Sequence, residues 1–546
     1  MNQTTLILSA EKAYDAEQRY RVVKRSIDAR QRVLKVHLTM LTDDNGAPLP
    51  KNAPIPLYDE PQWQDVHQAK HSAAIIGAGP AGLFAAMTLI EKGIKPIIYE
   101  RGKDVSERKK DIAILNRNQG LNAESNYCFG EGGAGTFSDG KLFSRSKKRG
   151  NMQRVMEYFH YFGANDNVLY EAHAHIGSDR LPTIIRRMRE CIIAHGGEIH
   201  FNTCVDSKLF QSLLNLTTQR SNSEHSERSD STAVCQRAGD PTALVSWGAS
   251  SGLTPLLGVI LAIGHSAHDT YTMLHHEGVA LSTKGFAMGV RVEHPQALIN
   301  RLMYHDPSPE LIRLVGNASY SLVTQVEGRG VYSFCMCPGG HIVPAGSSAT
   351  GCVVNGMSAS HRNSPFANSG IVVEIRPEDL ATYETLKQAP TVRETFNSNL
   401  LGLEFQQHLE SLAFEHGAAP SLAPAQRLRD FVEGKASRTI PACSYLPGTV
   451  ASRMDEWLPE HIGKRLQQGF RDFDRKYRGF LTNEAIILGV ESRSSSAVRI
   501  PRDPVTLQSI STPNLYPCGE GAGYAGGITS SALDGINAAL AIAHNL

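Results

Sequence analysis

Ala73-Ala-Ile-Ile-Gly77-Ala-Gly79-Pro-Ala-Gly82 carries an apolar strand straight into a glycine turn. A small-residue helix over 83–92 follows, then a second apolar strand, Pro96-Ile-Ile-Tyr99, ending at Glu100. This spacing predicts a complete dinucleotide-binding βαβ unit. Gly77 makes the tight turn, Gly79 lets the backbone approach a pyrophosphate, and Gly82 lets helix and strand pack closely. The helix N-terminus faces the phosphate charge, and the carboxylate of Glu100 can accept from ribose hydroxyls. Gly77, Ala78, Gly79, Pro80, Ala81, Gly82, Glu100 and Arg101 are the cofactor-binding positions this unit offers.

The same glycine spacing recurs twice. Gly130-Glu-Gly132-Gly-Ala-Gly135 has no apolar strand before it and polar residues after it. It is no independent dinucleotide unit. Gly133, Ala134, Gly135 and Thr136 would let backbone amides approach something flat or anionic, as a flavin is; the plainer alternative is a surface loop. Gly521-Ala-Gly523-Tyr-Ala-Gly526 does follow a strand, 514–518, and precedes a helix, 528–543. Too little chain remains beyond it for a second strand or a ribose-binding acid. It should therefore close the first domain, with Gly519 and Glu520 beside the cofactor. The helix start at Gly527, Ile528 and Thr529 would point its dipole at the flavin edge that becomes negative on reduction.

The chain has 546 residues, 41% hydrophobic and 20% charged, enough for two or three globular domains. A formal charge of +1 gives no electrostatic case for nucleic acid or an anionic membrane. The start lacks a signal-peptide pattern, and the uncharged run 72–90 reads as a buried strand–turn–helix, not a membrane span. Nine cysteines without regular spacing fit reduced thiols and a cytoplasmic setting. Residues 1–70 read as a small α/β unit with a strand at 6–8, a charged helix over 11–28, a strand at 33–38 and a proline-rich linker. Arg19, Arg21, Lys24 and Arg25 on that helix could touch a partner or simply meet solvent. The expected division is a cofactor domain over 71–285, with a flexible Ser-rich insertion at about 219–255, then a substrate domain over 286–485 and a return to the cofactor domain over 486–546. Within the first part, 181–194 should be a helix and 198–205 a strand, which by resemblance to many flavoproteins would bring Val205 to the adenine end. Gly258-Val-Ile-Leu-Ala-Ile-Gly264 should be a buried strand placing Ala262 and Gly264 at the cofactor.

Together these features resemble FAD-dependent oxidoreductases in which a Rossmann-like FAD-binding domain is interrupted by a mixed-sheet α+β substrate domain. The wording of 126–141 (Asn-Tyr-Cys-Phe-Gly-Glu-Gly-Gly-Ala-Gly-Thr-Phe-Ser-Asp-Gly-Lys), 329–340 (Arg-Gly-Val-Tyr-Ser-Phe-Cys-Met-Cys-Pro-Gly-Gly), Asn355-Gly-Met-Ser358, Ala367-Asn-Ser-Gly370 and 519–530 is narrower. It is similar to the bacterial FAD-dependent dehydrogenases, also described as NAD-utilising dehydrogenases, from about residue 20 to the end except the Ser-rich insertion. The resemblance implies FAD, a redox reaction on a small-molecule substrate, and no named substrate. NAD(P)H, if used, must dock transiently in the flavin cavity, because no second nicotinamide domain is visible.

Candidates for the chemistry are Lys141 beside Asp139, to set flavin potential or bind a carboxylate, and Arg493, to clamp an acidic substrate bidentately. A solvated lysine and a structural ion pair are the plainer alternatives. Cys335-Met-Cys337 could bring two sulfurs to one strand face, yet a disulfide two residues apart is strained, so buried small side chains are the preferred reading. His173-Ala-His175 lacks a third ligand, and no metal is expected. His265, just after Gly264, is placed for a cofactor role or for a plain backbone bond. A flavin-dependent tRNA-modifying enzyme and a non-catalytic FAD module are the rival functions.

Overall fold

The computed structural model describes residues 2–143, 150–218, 255–380, 398–417, 422–544 and 546, with the backbone of two short strands at 234–236 and 244–246. The insertion expected at about 219–255 otherwise lies outside the described residues.

A five-stranded parallel sheet carries the opening motif. Its strands run in the order Leu515–Pro517, Leu256–Leu261, Ser72–Ile76, Lys95–Tyr99, Glu198–His200. Ser72–Ile76 is apolar on both faces because both are covered, as parallel sheets require. Ala73 and Ile75 pack into a core with the helices Pro80–Glu91, Met152–Tyr161, Leu181–Ala194 and Ile528–Ala543. Ala74 and Ile76 pack on the other side with Ser207–Thr218 and His268–His276. The last helix lies against the first, with Gly535 closest to it: a Cβ there would stand 2.0 Å from Ala81 O.

A second, seven-stranded sheet runs Val323–Val326, Arg329–Cys337, Phe366–Ile375, Phe286–Pro295, Ile486–Glu491, Ala423–Arg427, Thr449–Ala451. Only its last pair is parallel. Helix Glu460–Lys476 buries Ile462, Leu466, Phe470 and Phe473, a stripe at helical spacing, in the core of this sheet. Its central strand begins at Phe286. The far boundary differs from the expected 486: Ile486–Glu491 completes this second sheet, and only the chain beyond it returns to the cofactor domain. Its fully buried run, apolar up to Glu491, suits a central strand of either sheet, so the local pattern could not assign it.

The N-terminal unit is a three-stranded antiparallel sheet with one helix. The helix is shorter than expected. It spans Ala10–Arg19 and stops where Tyr20 becomes extended, and Val22–Asp28 is a strand paired to Lys35–Thr42. The β-branched pair Val22-Val23 favours that outcome. Arg21, Lys24 and Arg25 therefore do not share a basic helix face. Arg25 pairs with Glu17 at 2.7 Å and Glu171 at 3.6 Å, and Arg21 donates to Ile55 O at 2.8 Å. Among the described residues no helix is long and apolar enough to cross a membrane.

Candidate active site

All three glycine strings meet at one cavity of about 370 Å³ between the two sheets, a size suited to a small-molecule site. Gly77 turns at φ +104, and a Cβ there would stand 2.4 Å from Ala262 O. Gly82 packs so closely that a Cβ would meet Gly77 O at 1.9 Å. Gly79 is the N-cap of Pro80–Glu91, with no side chain bonded at the helix start. Gly527 caps Ile528–Ala543 in the same bare way. Gly132 N–H donates to Ala78 O at 2.8 Å, which seats the second glycine string on the first. Two helix N-termini and the 3-10 turn Gly133–Gly135 thus border the cavity with backbone alone. Bare N–H groups with helix dipoles behind them fit a pyrophosphate and the electron-rich edge of a flavin.

Gly77, Gly79, Pro80, Ala81, Glu100, Arg101, Gly133, Ala134, Gly135, Val205, Ala262, Gly264, Gly519, Glu520, Gly527 and Ile528 line this cavity. Four expected positions do not. Ala78 faces away and gives its N–H to Glu100 Oε2 at 2.8 Å, and Gly82 serves packing alone. Thr136 is buried and donates to Glu131 O at 2.8 Å; Thr529 is buried and donates to Leu142 O at 2.9 Å. A threonine hydroxyl in a tight turn finds the nearest carbonyl first, and sequence spacing does not show which way it points.

Glu100 has more to do than meet a ribose. One oxygen accepts from Gly102 N–H and Gly130 N–H, both at 2.9 Å, and the other from Ala78 N–H. It fastens the two glycine loops together, and Oε2 keeps acceptor capacity for a hydroxyl. Arg101 is spent on Glu124 (2.7 Å) and Asp269 (2.8 Å) and lies over Phe129 at 4.2 Å. His265 Nδ1 stands 3.4 Å from Glu520 Oε2 at the cavity wall.

At the other end the second sheet supplies Phe334 and Cys335, the short strand Val354–Met357 supplies Asn355, and the segment after Ile486–Glu491 supplies Arg493 and Ser494. Asp139 and Lys141 face them from the glycine-rich loop. Asp139 is buried between Lys141 Nζ (3.3 Å) and Arg362 Nη2 (2.7 Å). Burial alone would raise its pKa, but Lys141 and Arg362 outweigh it and hold the carboxyl at about 2. Lys141 Nζ also donates to Met336 O and reaches both Cys335 and Cys337 sulfurs. Burial opposes its charge, yet the two thiols and Asp139 lift it above the ordinary lysine value. It is a fixed cation of the site, not a solvated loop lysine.

Arg493 does not offer a free clamp. Its Nε and Nη2 grip the buried Glu410 at 2.9 and 2.8 Å, and Nη1 donates to Ser347 Oγ at 2.8 Å. His175 is likewise committed: Nε2 meets Ser360 O at 3.2 Å, and burial together with Arg362 pushes its pKa down to about 4. Among the described residues no group of three or more His, Cys, Asp and Glu could hold a metal ion. Arg362 and Arg291 are the important residues sequence reasoning missed. Each reaches the site from a distant segment, and neither sits in a motif that announces it.

Residues 285–494 match the family model described as FAD-dependent protein, C-terminal domain-like. An uncharacterized protein of Clostridium beijerinckii is 40% identical over 480 residues, covering 86% of this chain and 80% of the relative. Among solved structures, CtdE in complex with FAD is 10% identical, over 86% of this chain and 84% of that one, with a TM-score of 0.27. The tetracycline destructase Tet(51) is 12% identical over 85% and 78%, TM-score 0.30. Halogenase PltM in complex with phloroglucinol and FAD is 10% identical over 87% and 69%, TM-score 0.32. Likenesses this remote define neither substrate nor reaction. The family match and the bare-backbone cavity agree on the cofactor, which is FAD.

Proposed function

The chain belongs to the family of its clostridial relative, and residues 285–494 match the FAD-dependent protein, C-terminal domain-like family; on that footing we propose that it is a dehydrogenase-type oxidoreductase acting on a small organic molecule. The observation that carries this reading is the convergence of glycine strings from opposite ends of the chain on one cavity whose far wall belongs to a different sheet. When bound, FAD supplies the electron chemistry, exchanging a hydride at N5 with the substrate. Gly79, Gly133 and the helix start at Pro80 would hold the pyrophosphate, and Val205 would border the adenine. The helix start at Gly527 and Ile528 would stabilise negative charge at the flavin ring. Phe334, Cys335, Asn355 and Ser494 would shape the substrate end and exclude water, and Lys141, kept protonated, would attract an electron-rich group of the substrate. NADH or NADPH would enter this same cavity in turn.

The purified protein reconstituted with FAD should absorb at about 450 nm, and anaerobic mixing with NADH, NADPH or the true substrate should bleach that band. A protein that takes up no FAD overturns the reading. A loaded flavin that neither nicotinamide nor any of a broad set of alcohols, amines and acids reduces would move it to a non-catalytic FAD module.

A further inference from the structure

Cys335 and Cys337 flank Met336 where the strand Arg329–Cys337 slips its register against Phe366–Ile375. Cys335 sits at φ +45, left-handed backbone that a non-glycine residue seldom holds and that tends to mark functional sites. Cys335 lies in the cavity wall and Cys337 is buried behind it. Lys141 Nζ is 3.8 Å from the first sulfur and 3.7 Å from the second, so one ammonium serves both. Arg291 Nη2 is 3.6 Å from Cys337 Sγ and donates to Cys335 O at 2.6 Å.

The charges around the pair favour a thiolate. Lys141, Arg291 and Arg362 bring three cations; Asp139 and Glu491 are the carboxylates bonded to them. Burial pushes Glu491 up to about 7 against the pull of Arg291. A hydrogen bond from Cys337 lowers the Cys335 thiol most, burial opposes it, and Lys141 and Arg291 add to the lowering; Cys337 is raised in turn.

We infer that Cys335 is a reactive thiolate of the flavin cavity and Cys337 its resolving thiol, and that the pair takes up a two-electron oxidation from a hydroperoxide. A thiolate serving only as a nucleophile toward carbon would need no second thiol at the same lysine; one that is oxidised does. The Cys335 sulfur attacks one peroxide oxygen, the S–O bond forms and the O–O bond breaks. The departing oxygen takes a proton from the adjacent Lys141 ammonium, leaving water or an alcohol and a sulfenic acid. Cys337 then attacks that sulfur, the S–S bond forms, and the hydroxyl leaves as water with the Cys337 proton. In a regular strand the Cα atoms of these residues would stand about 6.6 Å apart, at the far end of what a disulfide spans. The register slip and the left-handed Cys335 break the regular strand here, and both sulfurs lie within 3.8 Å of the same Lys141 ammonium.

The inference rests on the cavity and not on dehydrogenase activity, and its readouts are chemical. Holoprotein treated with equimolar hydrogen peroxide at pH 7 should lose two thiols and yield a Cys335–Cys337 disulfide in the peptide map. Cys337→Ser should stop at a dimedone-trapped sulfenic acid on Cys335. Cys335 should react with iodoacetamide at pH 6 roughly tenfold or more faster than glutathione does, and Lys141→Met should abolish that advantage. The wild-type alkylation rate needs no variant to fold. A rate no faster than glutathione, or peroxide consumed by other cysteines while Cys335 stays reduced, overturns the proposal. A dimedone adduct on wild-type Cys335 without a disulfide overturns the role given to Cys337. Failure of the flavin reading would show instead as missing absorbance at about 450 nm.

Discussion

Asp139 owes its charge to two residues that the chain delivers from different places. Lys141 is two positions away, and Arg362 arrives from the second domain. Its folded pKa of about 2 lies below the ordinary 3.8, so its stabilising contribution is complete above about pH 4 and is lost as pH falls toward 2. The shift corresponds to about 2 kcal/mol. Urea unfolding at pH 7 and at pH 3 should therefore show wild type losing more stability than Asp139→Asn across that interval, while the variant starts lower at pH 7. Equal losses would mean that Asp139 is not held ionised by its partners. The Asp139–Lys141 half of this arrangement was legible in the sequence because the two residues are near neighbours in a polar glycine loop. The Arg362 half was not, since a contact across 223 residues leaves no local pattern. Thr136 and Thr529 lie off the cavity for a different reason: rotamer and nearest acceptor decide where a hydroxyl points, and neither is written in spacing.

The first and last helices are the elements on which the cofactor domain closes. Their closest approach is Gly535 on the last helix against the backbone of Ala81 on the first. Gly535→Ala puts a methyl 2.0 Å from Ala81 O, a backbone atom that cannot yield without moving a helix. We expect a loss of about 1–3 kcal/mol in thermal or urea unfolding, with weaker FAD retention because Ile528 moves with its helix. Gly82→Ala, 1.9 Å from Gly77 O, should be at least as costly. Unchanged melting of Gly535→Ala would show that the helices are not in close contact, and of Gly82→Ala that the helix does not pack tightly on the Gly77 turn. These two helices and the strands Ser72–Ile76 and Lys95–Tyr99 could be read from periodicity and glycine spacing because they are strongly patterned and bounded by turns. Val22–Asp28 was misread as helix because its charged residues hide a β-branched start. Ile486–Glu491 was given to the wrong sheet because a doubly buried strand reads alike in either.

At the scale of the molecule, the cofactor cavity is assembled from Gly77–Gly82, Gly133–Gly135 and Gly519–Ile528, and the seven-stranded sheet is inserted between the second and third of these. FAD should therefore act as a clasp between the chain's two ends. A ligand at a hundred times its dissociation constant adds about 2.7 kcal/mol to the folded state, so saturating FAD should raise the melting temperature of the apoprotein. FMN, which lacks the adenylate that the opening turn would hold, should raise it much less. Gly79 separates cofactor grip from folding. Its φ of −74 suits alanine, and a Cβ there would meet only Gly133 Cα, at an ordinary 3.9 Å. The added methyl occupies the space where a pyrophosphate would approach, so Gly79→Ala should melt like wild type without cofactor yet lose most of the FAD-dependent rise. Titrating both proteins with FAD in differential scanning calorimetry decides it. If Gly79→Ala responds to FAD as wild type does, the opening glycine turn does not hold the pyrophosphate, and the anion must sit at the N-terminus of Ile528–Ala543 instead.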